Sequence, residues 1–116
     1  MRENYIVARI GEHIIKDILP KSQWENQAKG RHFDIHWKGL KIDVKTSRRF
    51  HKEHCLFNIA VRFRKIIYIY VGLSQDKIYY WISKGRRNTL KFALEKSLTI
   101  EKVIKFLEGE KKVGKL

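Results

Sequence analysis

The sequence predicts one α/β or α+β domain with a mixed central β-sheet flanked by helices. Three observations predict it. A helical apolar stripe fills residues 3–19 and stops at Pro20. From residue 31 to 83 apolar residues alternate, or run together, with the period and length of strands. Beyond residue 89 the helical pattern returns.

Taken in order, Ile6, Val7, Ile10, Ile14 and Ile18 recur at helical spacing, and Ala8, Ile15 and Leu19 widen the stripe. Pro20 cannot continue the helix, because it lacks the N–H and clashes with the preceding turn. Residues 21–30 read as a polar connection. In residues 31–47 Phe33, Ile35 and Trp37 alternate with polar residues, and then Leu40, Ile42 and Val44 do the same, which predicts a hairpin turning at Lys38-Gly39. Residues 48–54 read as a basic loop. Phe57, Ile59, Val61 and Phe63 predict a strand over 55–63. The apolar run 66–73 predicts a strand buried on both faces. Ser74–Asp76 turns the chain into a strand at 77–83, and Lys84-Gly-Arg-Arg87 forms a second basic loop. Two helices are expected to close the chain, at 89–97 and 100–109, with Thr99 as N-cap of the last. Residues 111–115 read as a frayed tail.

At 116 residues with 43% hydrophobic side chains, the chain suits one domain, 1–116, with a real core. No apolar run is long enough to span a membrane, and Arg2, Glu3 and Arg9 interrupt any signal-peptide core. A single cysteine, Cys55, excludes an internal disulfide and fits a reducing, cytoplasmic location. Twenty-six Lys and Arg against twelve Asp and Glu leave a net charge of +14. On so small a domain this excess points to a polyanionic partner, nucleic acid first.

Two acids stand out against that background. With a two-residue turn, Trp37 faces Leu40, Ile35 faces Ile42 and Phe33 faces Val44; on the other face His36 meets Lys41, Asp34 meets Asp43 and His32 meets Lys45. Directly opposed like charges destabilise a strand pair, and a divalent cation between them would explain their presence. Asp43 and Lys45 are two residues apart and share a strand face. Phosphodiester hydrolysis needs a metal at the phosphoryl oxygen, an activated water and positive charge on the transition state. Asp34 and Asp43 would hold the metal, with Mg²⁺ the fitting ion and Mn²⁺ a substitute. Lys45 would orient or deprotonate the water, or neutralise the phosphorus centre. His32, Asp34 and His36 share a strand face that could also take zinc, although acid-rich surroundings favour a harder ion.

The pattern D-x8-D-x-K on a hairpin, after a helix carrying Glu12, resembles the PD-(D/E)XK (restriction endonuclease-like) nuclease superfamily, which includes restriction enzymes, archaeal Holliday-junction resolvases and some homing endonucleases. The resemblance runs from Gly11-Glu12 to Ser47, and Phe33 stands where the family name has proline. It implies a restriction endonuclease-like fold, Asp34, Asp43 and Lys45 as the motif residues, Glu12 as the helical acid, and the Val44 carbonyl as a further metal ligand. Strand following strand after Lys45 is closer to phage and restriction-type members than to resolvases.

The expected function is therefore a Mg²⁺-dependent endodeoxyribonuclease acting on double-stranded or branched DNA, as a homodimer because a duplex has two strands. The alternatives are a non-catalytic nucleic-acid-binding module of the same fold and a ribosome- or RNA-associated basic protein. Arg48, Arg49 and His51 in one loop, and Lys84, Arg86 and Arg87 in the other, are the expected phosphate contacts. Cys55, Trp24, Trp37 and Trp81 read as core or interface residues.

Overall fold

The computed structural model describes residues 2–25, 33–57, 65–85 and 91–114, with side chains from Tyr5 to Glu110. Helix α1 (Arg2–Ile18) leads into β1 (Gln23–Trp24), β2 (Ile35–Trp37), β3 (Leu40–Ser47), β4 (Phe50–His51), β5 (His54–Leu56), β6 (Ile67–Leu73), β7 (Ile78–Lys84), β8 (Lys91–Ala93) and α2 (Ile100–Gly114). The central sheet has the order β1-β2-β3-β6-β7, and a second sheet has the order β4-β5-β8. Among the described strands only β3 and β6 run parallel, so the central sheet is mixed.

Three layers result. Both helices pack on one face, where Ile15, Leu19, Val103 and Leu107 meet Ile35, Trp37, Ile42, Val44, Ile69 and Val71. The small sheet covers the other, where Cys55, Phe57 and Phe92 meet Tyr68, Tyr70 and Trp81. Strand β6 lies between these layers and is buried along almost its whole length, as its unbroken apolar run requires. The hairpin register holds for three pairs: Trp37↔Leu40, His36↔Lys41 and Ile35↔Ile42. Lys38 and Gly39 both take positive φ, 49° and 84°, the conformation a two-residue type I′ turn demands. Lys38 is held there by Glu108 at 2.8 Å and lies 4.6 Å from the Trp37 ring.

Several expectations are corrected. The buried stripe of α1 is Val7, Gly11 and Ile15, continued by Leu19 just past its end, whereas Ile6 and Ile10 are exposed. The true face is rotated because Gly11, which has no side chain to signal it, sits at its centre. Part of the polar connection pairs as β1 with β2. The basic loop 48–54 is a hairpin, with Lys52 at φ 55° between β4 and β5. Of the strand expected at 55–63, Cys55 and Leu56 lie in β5 and Phe57 follows it, and Ile59, Val61 and Phe63 lie outside the described residues. In place of a helix at 89–97, Lys91–Ala93 pairs with β5 and Leu94–Lys96 forms a single 3₁₀ turn. Phe92 is drawn into the aromatic core there, and tertiary packing overrides helix propensity. Helix α2 is capped by Thr99, whose Oγ1 accepts from the Lys102 N–H at 3.2 Å, and it runs on through residues 111–114 instead of fraying.

Candidate active site

The hairpin register fails at one place, and that place builds the site. Past Ile35↔Ile42 the ladder would pair Asp34 with Asp43. Instead the Asp34 N–H donates to the Ile42 carbonyl at 2.9 Å, one residue out of step, and β2 begins only at Ile35. A one-residue slip moves a side chain to the other face. Phe33 accordingly packs with Tyr68 and Tyr70, while Val44, its expected partner, packs under the helices. Asp34 is left between the two faces. Its Oδ2 accepts the Val44 N–H at 2.8 Å, taking the place that a backbone carbonyl would hold in a longer β2. The N–H and C=O of one strand residue point to the same side. The Val44 carbonyl therefore faces the same side, where no further strand pairs with β3 among the described residues.

Three acids line one cleft at this edge, each from a different direction. Asp34 lies in the plane of the sheet. Asp43 comes from the face that carries Tyr68. Glu12 comes from α1 on the other side. The helix can approach because Gly11 lies directly against Thr46: a Cβ on Gly11 would fall 1.8 Å from Thr46 Oγ1. That oxygen is buried without a conventional hydrogen-bond partner and rests on the glycine backbone.

The electrostatics record how close the acids are. Asp43 is 6% exposed. Its carboxyl is pushed up to about 8, by burial first, then by the charge of Asp34 and a hydrogen bond with it; Lys45 pulls the other way. Lys45 Nζ lies 2.7 Å from Asp43 Oδ2. Burial and the charge of Asp34 also raise Glu12, against the pull of Arg9, whose Nη1 donates to Glu12 Oε1 at 2.7 Å.

These side chains line an open cleft of about 1270 Å³ whose other walls include Ser47, Arg48, Arg49, Phe50 and the Ser74–Asp76 turn. That exceeds the volume of a typical small-molecule pocket and leaves room for a polymer segment. Arg48 and Arg49 are exposed at its rim, and His51 is exposed on β4. Lys84 stands elsewhere: it ends β7 and pairs with Glu110 of α2 at 3.0 Å, on the helix-covered face. Arg86 and Arg87 lie outside the described residues. So does His32 of the conceivable zinc face, where His36 pairs with Glu25 at 3.3 Å.

As a set of donors, Glu12, Asp34, Asp43 and the Val44 carbonyl suit a hard cation. As positioned, no three His, Cys, Asp or Glu side chains among the described residues stand close enough together to hold an ion. The Asp34 and Asp43 oxygens are turned instead to Val44 N–H and Lys45 Nζ.

Sequence reasoning missed Gly11, Thr46 and Arg9. A glycine in a helix interior costs roughly 0.5–1 kcal/mol against alanine, and that local cost was the available signal of a close approach. Comparison with known proteins finds no matching family model, no matching curated sequence and no matching solved structure.

Proposed function

We propose that the chain is a divalent-metal-dependent DNA endonuclease of restriction endonuclease-like fold. The observation that carries this reading is the convergence of Glu12, Asp34 and Asp43 beside Lys45, from both faces and the plane of the sheet, in one cleft rimmed by arginine. Buried acids crowded until one holds a proton near neutrality are costly, and such perturbed groups concentrate at functional sites. A chain of net charge +14 lines one cleft with three acids.

Glu12, Asp34, Asp43 and the Val44 carbonyl would hold Mg²⁺ or Mn²⁺. When bound there, the ion supplies positive charge to a phosphoryl oxygen and acidifies a water. The protein's own groups do the rest. Lys45, which pairs with Asp43 on the same strand face, would orient the water or neutralise the phosphorane. Arg48 and Arg49 hold the flanking phosphates without reading bases. Cutting two strands of a branched or duplex DNA together would use two such sites, which a homodimer supplies.

Incubation with supercoiled plasmid and with branched DNA, in Mg²⁺, in Mn²⁺ and in EDTA, tests the reading. Cleavage that needs the metal is expected. A second reading, a non-catalytic nucleic-acid-binding module of the same fold, is favoured by the Asp34–Val44 and Asp43–Lys45 contacts, which leave the acids satisfied without an ion. Tight DNA binding with no cleavage in either metal would establish it over the first.

A further inference from the structure

The three tryptophans are not alike. Trp37 and Trp81 are 2% and 4% exposed, and their indole N–H groups donate to the carbonyls of Pro20 and Ala93. Trp24 is 40% exposed. Strand β1, which carries it, is the end strand of the central sheet among the described residues. Its ring is attended by polar groups: the Arg9 guanidinium at 5.1 Å, the Lys16 ammonium at 5.8 Å and the His13 ring edge-on at 5.0 Å. All three belong to α1, so the ring rests on that helix while a large part of the residue stays exposed.

The position of the ring is specific. Trp24 pairs with Ile35, and the next residue, Glu25, donates its N–H to the Asp34 carbonyl at 2.9 Å. Arg9 touches both the Trp24 ring and, at 2.7 Å, the Glu12 carboxylate. The ring is thus joined to the acid cluster by one side chain and by one backbone bond.

We infer that Trp24, with Arg9 and Lys16, is a stacking site for one unpaired nucleobase beside the phosphodiester held at the acid cluster, so that the substrate class is single-stranded or branched nucleic acid. An aromatic face offered with flanking cations is how proteins hold single strands: the ring takes the base and the cations take the backbone. Inside a duplex both faces of a base are covered by its neighbours, so only the two end pairs of a blunt duplex offer the ring a face, whereas every base of a single strand can. The location of the cut relative to the base rests on the nuclease reading; the binding of the base does not.

The test is binding in EDTA, where no cleavage occurs, to a labelled twelve-nucleotide single strand and to a blunt duplex of the same sequence. Trp24→Leu keeps an apolar side chain but removes the π face. It is expected to weaken single-strand binding on the order of tenfold and to leave duplex binding within about twofold, while Trp24→Phe retains most single-strand affinity. Acrylamide quenching of the unaltered protein gives a second measurement, because Trp24 is the exposed indole. Bound single strand should protect it from the quencher, and bound duplex should not. Trp24→Leu binding the single strand within about twofold of wild type, an equal loss for both ligands, or quenching undiminished in the single-strand complex would each overturn the inference. Should Trp24→Leu not fold, the quenching result decides alone. Failure of the nuclease reading appears separately, as absence of metal-dependent cleavage with base binding intact.

Discussion

Asp43→Asn isolates the physics of the acid cluster. In the unfolded chain this carboxyl has a pKa of 3.8; in the fold, burial and the charge of Asp34 push it up to about 8. A group whose folded pKa is raised stabilises the protein fully below the unfolded value and loses that contribution as pH rises through the folded one. The window is therefore pH 4 to 8. Across it the native state holds up to one proton more than the unfolded state, so stability falls by as much as about 1.4 kcal/mol per pH unit. For a domain of this size that is roughly 5 °C of melting temperature per unit. Asparagine imitates the protonated acid and does not titrate. Metal-free Asp43→Asn should match wild type near pH 4 and melt progressively higher than it toward pH 8. Metal reverses the order. A ligand bound only by the native state at a hundred times its dissociation constant adds about 2.7 kcal/mol. Wild type should gain this from Mg²⁺ or Mn²⁺, and Asp43→Asn should lose most of the gain. Differential scanning calorimetry at four pH values, with EDTA and with metal, reads both effects. A metal-free Asp43→Asn protein that melts below wild type at pH 8, with its metal response intact, would refute the shared-site argument.

Asp34→Ala, Asp43→Ala and Lys45→Ala should each abolish plasmid cleavage while DNA affinity, measured by fluorescence anisotropy, stays within a few-fold; wild-type cutting by any one removes that residue from the chemistry. Charge removal at Arg48 and Arg49 should weaken binding to all sequences alike, and each lost phosphate contact should flatten the plot of log affinity against log salt by roughly 0.9 on B-DNA. An unchanged slope would mean the pair touches no phosphate. Gly11→Ala places a methyl group 1.8 Å from Thr46 Oγ1, so α1 or β3 must shift; overpacking of this kind costs typically 1–3 kcal/mol. Urea unfolding should show that loss despite alanine's better helix propensity, and Thr46→Ala should restore part of it in the double variant.

Much was fixed along the chain before any folding contact. Period-two alternation with a Lys-Gly turn set the register of Ile35↔Ile42 through Trp37↔Leu40, because a slip there would turn apolar side chains to water. The unbroken apolar run of β6 announced a strand covered on both faces, and Thr99 announced the start of α2. Local pattern also placed Asp43 and Lys45 on one face, two residues apart. The rest depended on groups far apart in sequence. Nothing near Lys91–Ala93 says that β5 will claim it as a strand. Nothing in the alternation of residues 33–37 says that Asp34 will leave the ladder, since the cause is the stretch of β3 beyond β2, where the Val44 N–H takes the carboxylate. The rotation of α1 likewise follows from its contact with Thr46, which only the folded chain supplies. Periodicity reports which face a residue prefers within its own element. Where two elements touch, the closest-fitting surfaces and the unpaired backbone groups decide, and those exist only once the sheet and helix have come together.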